Sequence, residues 1–175
     1  MVISQSGETA DTSEALREAT ARGTSTIAIT NKRDSTMAKL ATCSLPTMAG
    51  VERAIPATKS FTTQLAVLYS LSLFLARLRG RITQRAVEQH CGNLRRLPGQ
   101  IEPALDLWRA EIAALAPQLG AARGFLYLGR GVHYPIAREG ALKLKESAYL
   151  QAEGYPAGEL KHGPLALVGK DMPVV

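Results

Sequence analysis

Gly124 to Tyr149 reads GFLYLGRGVHYPIAREGALKLKESAY, an apolar run, a glycine turn and then a charged, alanine-containing helix. Tyr127 to Gly131 closes the apolar run on two glycines just before the helix. That is the strand, glycine loop, helix order of a parallel α/β sheet, and it presents backbone N–H groups to an anion. On the helix, Glu139, Lys143 and Glu146 fall at i, i+4 and i+7 and share one face, whereas Leu142, Leu144 and Tyr149 spread over others. A lysine between two carboxylates holds them ionised and aims them. The plainer reading is a solvated Glu-Lys pair worth a few tenths of a kcal/mol; the glycine loop ahead of the helix weighs against it.

Downstream, Glu139 to Leu167 carries Glu139, Glu146, Glu153, Glu159, Lys143, Lys145, Lys161 and His162 among Gly, Ala and Leu, which is the composition of a site. Gly158 to Pro164 reads as a turn bounded by glycine and proline, and Leu165–Val168 and Val174–Val175 read as strand beginnings. Upstream, Glu102 to Gln118 is expected to be a separate amphipathic helix. Pro103 would stand at its start, Pro117 near its end, and Leu105, Trp108, Ile112 and Leu115 at core spacing. The apolar run Leu65 to Ala76 belongs to a helix expected from Lys59 to Arg79–Gly80. The run spans roughly 18 Å at 1.5 Å per residue, short of a bilayer core of ~30 Å, and reads as a buried helix rather than a membrane anchor.

The amino-terminal half repeats the same physical idea. Val2–Ile3 is a strand end opening into Ser4 to Thr9, with a helix expected over Ser13 to Arg22 that stops at Gly23. Strands are expected at Thr26–Thr30 and Cys43–Pro46, with a turn at Asn31–Asp34 and a short helix at Thr36–Leu40. Alternation at this spacing predicts parallel βαβ units, whose ligands sit at the carboxyl ends of the strands. Ser4, Ser6 and Thr9 would lie there, with helix amides beside them, as a nest for a phosphate; the same residue types also make an ordinary helix cap. Glu52 and Lys59 read either as the far side of that site or as a surface acid and a first-turn lysine.

At 175 residues the chain is long enough for a real core, and 46% hydrophobic with 21% charged residues is the balance of a soluble globular protein. The net charge of +6 permits an acidic or phosphorylated partner without requiring one. Arg77, Arg79, Arg81, Arg85, Arg95 and Arg96 form a basic segment without interleaved aromatics or a nucleic-acid module, so a solvated face is expected and no nucleic-acid partner. Cys43 and Cys91 lie far apart with no CxxC spacing, which suggests neither a zinc site nor a disulfide framework and fits a reducing compartment. Met1 to Ile3 runs directly into polar residues, with no signal-peptide pattern.

Four motifs in order carry a family resemblance: SQSGETADT at Ser4–Thr12, ATKSFTTQL at Ala57–Leu65, LGRGVHYPIAREGALKLKESAY at Leu128–Tyr149, and GELKHGPLAL at Gly158–Leu167. Together they resemble the sugar isomerase (SIS) domain family, and within it the isomerase half of the glutamine:fructose-6-phosphate aminotransferases. The resemblance implies an α/β class, a flavodoxin-like three-layer α/β/α sandwich, with two SIS subdomains that are both incomplete. Residues 1–100 would hold part of the first, and residues 101–175 a linking helix and the start of the second. It also implies a cytoplasmic homodimer that binds a phosphorylated hexose, fructose 6-phosphate or glucosamine 6-phosphate, with no cofactor, metal or membrane.

Carried onto this sequence, the resemblance makes Ser4, Gln5, Ser6 and Thr9 the phosphate loop. Glu146 becomes the base that moves a proton between C1 and C2 of the open-chain sugar, with Lys143 and Glu139 beside it. His162 becomes the ring-opening histidine, reaching a site of the other subunit. An aldose-ketose shift needs one base that takes a proton from one carbon and returns it to the next, and burial raises a carboxylate's pKa toward that task. Three departures stand out. No glutaminase with its nucleophilic cysteine is present. The family's first strand with its Gly-Thr-Ser loop, and its lysine-bearing tail, are also missing. Ala57 replaces a usual serine, as in glutaminase-free relatives. These lead to the expectation of a fragment of a longer chain, weakly stable alone or dependent on a partner. The function implied is formation of glucosamine 6-phosphate from fructose 6-phosphate. The alternatives are a glucosamine-6-phosphate deaminase or sugar isomerase, or a phosphosugar-binding module without catalysis, and the amino donor stays open.

Overall fold

Val2–Ser4 (β1), Ile27–Thr30 (β2) and Cys43–Pro46 (β3) pair in parallel in the order β1-β2-β3, with Ile3 opposite Ile29 and Ile29 opposite Leu45. They belong to the first of two units, Met1–Arg95 and Arg96–Val175, into which this computed structural model, covering residues 1–175, divides. Strand residues alternate between the two sheet faces, and the two faces bury different helices. Ala28 packs with Leu16 of α1 (Ala10–Ala21) and Met37 of α2 (Thr36–Leu40). Ile27 and Leu45 instead share a groove with α3 (Lys59–Leu78). Helices on both faces make this unit a three-layer α/β/α sandwich, as the family resemblance implied.

The strand ends opposite the site are pinned by hydroxyls. Thr26 N–H donates to Thr42 Oγ1 and Thr42 N–H to Thr26 Oγ1, both at 3.0 Å. α2 is started by Ser35, whose Oγ accepts from Ala38 N–H at 3.3 Å, a serine N-cap.

α3 departs from expectation. It buries only Ser60 and Leu73, while Phe74 is 62% and Leu78 72% exposed. Three strands of three or four residues are too narrow a platform for a 20-residue helix, so its far side finds no cover. By length and composition alone α3 is long and apolar enough to cross a membrane. It also carries Thr62, Thr63, Gln64, Ser70 and Ser72, and the Thr63 and Ser70 hydroxyls back-bond to its own carbonyls.

The boundary between the units falls inside one continuous helix, Gln84–Leu115 (α4), rather than before a second helix at Pro103. Pro98 and Pro103 both lie within it. Each removes one N–H from the ladder and normally marks a start or a kink. Here helix formers on either side, Leu94 to Leu97 and Ala104 to Leu107, carry the turns through. Leu105, Trp108, Ile112 and Leu115, expected in the core, are exposed. Pro117 lies in the 3-10 turn Ala116–Leu119 that follows.

The second unit is built on Gly124–Gly129 (β4), Tyr134–Ala148 (α5) and Gln151–Pro156 (β5). β4 and β5 pair in parallel from Gly124–Gln151 to Gly129–Pro156. β5 escaped the sequence reading because QAEGYP is polar and contains Gly and Pro. It forms because Ala152, fully buried, seats against Phe125 and Ala141. Val174 bridges Leu126 in parallel, and Val175 N–H donates to Leu126 O at 2.8 Å, so Val174–Val175 does begin a strand. Leu165–Val168 does not: Pro164–Leu167 is a 3-10 turn, a conformation that the fixed φ of a leading proline favours.

Glycine sets how closely α5 approaches the sheet. A Cβ on Gly154 would lie 2.7 Å from Arg138 Cα, and one on Gly129 2.3 Å from His133 O. α5 ends at Tyr149, in the left-handed conformation with φ +56°.

Candidate functional site

In the first unit the loop Ser4–Thr9 leaves the carboxyl end of β1 and enters α1. Ser4 is buried, and its Oγ accepts Gly7 N–H at 3.0 Å and lies 2.9 Å from Thr9 Oγ1. Ser6 Oγ accepts Glu8 N–H at 3.2 Å. Each hydroxyl has one donor and two acceptor sites, so these bonds leave capacity for an anion beside the unpaired first-turn amides of α1. Gly7 makes the turn possible. Its φ is +68°, and a Cβ there would lie 2.1 Å from Ser35 Oγ. Glu8 points away to α2, where Oε1 accepts Thr36 N–H at 2.8 Å. That backbone bond, with Lys32 and Lys39 nearby, holds the Glu8 carboxyl below its usual range.

Beside the loop, a solvent-open cavity of about 790 Å³ lies at the carboxyl ends of the three strands, bordered by Gln5, Asn31, Arg33, Met48, Glu52 and Ala57 among others. Glu52 is more than the surface acid of the plainer reading. It lines the cavity, and its Oε2 accepts Ser60 N–H at 3.2 Å, capping α3 where Thr58 provides no side-chain cap. Lys59 donates to Val51 O at the same turn and does not line the cavity. Asn31 was read only as part of a turn. Its position directly after β2, at the ligand end of a parallel sheet, was the available signal.

In the second unit α5 places Glu139, Lys143 and Glu146 on one face, as the spacing predicts. Lys143 Nζ lies 2.6 Å from Glu146 Oε2 and 3.6 Å from Glu139 Oε1, and all three side chains are 22–28% exposed. One ammonium thus holds two carboxylates in a partly dried setting, where ionic hydrogen bonds are stronger than on an open surface. Small residues Ala137 and Ala141 on the opposite face bring α5 against the strands. A groove of about 470 Å³, bordered by Arg138, Glu139, Lys145 and Glu153, runs along α5 and β5. Tyr155 donates its hydroxyl to Glu153, and this bond to a carboxylate raises the phenol above its ordinary value.

His162 stands apart from that trio. It ends the 3-10 turn Ala157–His162, its side chain is 71% exposed, and Nδ1 lies 2.9 Å from Glu159 Oε2. Gly163, at φ +141°, follows and turns the chain.

The sites therefore form two groups. Ser4, Gln5, Ser6 and Thr9 cluster in the first unit, and Glu139, Lys143 and Glu146 in the second. A protein-family profile described as the SIS domain matches residues 1–73 and 119–175. The chain is 49% identical over 173 residues to a glutamine--fructose-6-phosphate aminotransferase [isomerizing] of Gloeobacter violaceus, covering 99% of this chain and 28% of that protein. It is 52% identical over 176 residues to the enzyme of the same name from Acidithiobacillus ferridurans, covering 29% of it. The chain thus spans little more than a quarter of the length of these relatives. Among solved structures, it is similar to the C-terminal domain of glucosamine-fructose-6-phosphate aminotransferase from Francisella tularensis, with TM-score 0.92 and 43% identity over 98% of this chain and 49% of that one. A glucosamine-6-phosphate deaminase from Thermotoga maritima matches with TM-score 0.78 and 29% identity, over 99% of this chain and 50% of that one.

Proposed function

The chain belongs to the SIS-domain family, and from that premise we propose that it is the phosphosugar-handling part of an enzyme that makes glucosamine 6-phosphate from fructose 6-phosphate. The observation that carries this reading is Lys143 Nζ bridging Glu139 and Glu146 on one helix face.

The sugar phosphate is held by the Ser4, Ser6 and Thr9 hydroxyls, Gln5 and the first-turn amides of α1, where a helix N-terminus favours negative charge. Ammonia condenses at the C2 carbonyl of the open-chain sugar with loss of water, and Glu146 then takes a proton from C1 and returns it to C2, so that the C2 imine becomes an amine and C1 an aldehyde with no net change in electrons. Lys143 keeps the carboxylate aimed, and Glu139 holds the lysine from its other side. His162, exposed and paired with Glu159, is the proton donor and acceptor for ring opening. It serves the neighbouring subunit of a cytoplasmic homodimer.

The test is proton exchange. Fructose 6-phosphate incubated with the chain in D2O is expected to gain deuterium at C1, followed by NMR, and Glu146→Gln is expected to stop this while phosphosugar binding persists. Binding without exchange in the unaltered chain would leave a sugar-phosphate binding module and remove the catalytic reading. Size-exclusion chromatography with light scattering checks the dimer.

A deaminase is the second reading, favoured by Ala57 at a position where the aminotransferases usually carry serine. Release of ammonia from glucosamine 6-phosphate distinguishes the two.

A further inference from the structure

Three chain segments meet at the carboxyl end of the first unit's sheet, and one residue is bonded to two of them. Asn31 N–H donates to Gln5 O at 3.2 Å, tying the end of β2 to the phosphate loop. Its side chain uses both ends on the third segment. Oδ1 accepts from Thr47 Oγ1 at 3.1 Å and from Ala49 N–H at 2.9 Å, and Nδ2 donates to Gly50 O at 2.6 Å. The segment so held is an unusual piece of backbone. Met48 stands at φ +57° and Gly50 at φ +72°, and a non-glycine residue in the left-handed region persists only where its surroundings enforce it. Met48, Gly50 and Val51 then border the same cavity as Gln5.

We infer that Asn31 is a positioning residue for sugar recognition: it brackets the Thr47–Gly50 wall against the Ser4–Thr9 loop and so fixes the width of the cavity in which the carbon chain of a hexose phosphate lies. This rests on the phosphosugar reading above, and it divides the work of binding. The loop grips the phosphate through groups that need no help from Thr47–Gly50, since the Ser4, Gly7 and Thr9 contacts are internal to it. The wall meets the sugar, and its placement depends on the Asn31 amide.

The division can be measured by calorimetric titration with two probes, inorganic phosphate and fructose 6-phosphate. Losing three hydrogen bonds worth about 1 kcal/mol each, partly replaced by water, is expected to weaken fructose 6-phosphate binding about tenfold in Asn31→Ala. Inorganic phosphate affinity is expected to stay within about twofold of the unaltered chain. Thr47→Val, which removes one of the three bonds without changing shape, is expected to move fructose 6-phosphate affinity in the same direction by about threefold and to leave phosphate alone. Thr47→Val also serves if Asn31→Ala fails to fold. Equal weakening of both probes, alongside a lower melting temperature, would reduce Asn31 to a merely structural residue and overturn the inference. Unchanged affinity for both probes would overturn it too. If the unaltered chain binds neither probe, the phosphosugar reading itself falls, and this inference with it.

Discussion

Lys143 Nζ lies 2.6 Å from Glu146 Oε2, and the same ammonium reaches Glu139. The pair sits between an exposed ion pair, worth about 0–1 kcal/mol, and a fully buried one whose breakage costs about 3–5 kcal/mol. Lys143→Met keeps the stem and removes the charge, leaving two carboxylates facing each other. Chemical denaturation is expected to show a loss of about 1–2 kcal/mol. C1 proton exchange should fall about a hundredfold or more, because the base loses the group that orients it. Restoring a neutral neighbour with Lys143→Met/Glu139→Gln should recover the stability and not the exchange. Recovery of both would mean that Lys143 only balances charge.

Gly7 is the second dependence. A side chain there meets both an unfavourable φ of +68° and Ser35 Oγ at 2.1 Å, the group that caps α2. Gly7→Ala is expected to destabilise by about 2–4 kcal/mol, the sum of a left-handed penalty and an overpacked contact. It should also weaken phosphate binding, since the loop re-forms around the new methyl. Adding Ser35→Gly removes the contacts with Ser35 but leaves Thr30 Oγ1 at 2.8 Å and the unfavourable φ. Thermal melting of the double variant should therefore recover only part of the loss.

The α/β class was readable because alternating apolar strands and helices at short spacing leave few topologies, and α2 and β3 occur at the residues expected. The Glu139, Lys143, Glu146 face was readable for the same reason, since helical spacing is rigid. What local pattern could not supply was anything decided by a neighbour. β5 is a strand because Gly154 admits Arg138 and Ala152 meets Phe125, and neither fact lies in the six residues themselves. The single helix α4 shows the reverse case, a strong local stop signal overruled by helix formers on both sides. Leu105, Trp108 and Phe74 read as core because hydrophobic spacing reports which face is apolar, not whether anything covers it. The one signal Asn31 carried was its place directly after β2, and an asparagine there is also an ordinary turn former.

Gly154 offers a test of the close approach between α5 and β5. A Cβ there would stand 2.7 Å from Arg138 Cα and 2.8 Å from Arg138 N. Backbone cannot swing aside as a side chain can, so Gly154→Ala has to push the helix outward. A loss of about 1–3 kcal/mol is expected in urea denaturation. Because α5 also carries Glu146, C1 proton exchange should fall together with stability. A variant as stable as the original would show that the approach is looser than these distances.

The Glu8 carboxylate gives a prediction with a definite sign. Its folded pKa is depressed, chiefly by the Thr36 N–H bond, with Lys32 and Lys39 adding attraction. A depressed carboxyl contributes stability that is present above its unfolded value, about 4.3, and is lost as pH falls through the folded value. Glu8→Gln keeps an acceptor for Thr36 N–H and removes only the charge. The melting temperature of the unaltered chain should therefore exceed that of the variant at pH 7, and the gap should close as pH falls below about 4. Since Glu8 is fully exposed, salt near 1 M should narrow the gap at pH 7 as well, the screening length there being about 3 Å. A gap that stays constant from pH 7 to pH 3 and ignores salt would place the contribution of Glu8 in its shape rather than its charge, and the electrostatic cap on α2 would have to be given up.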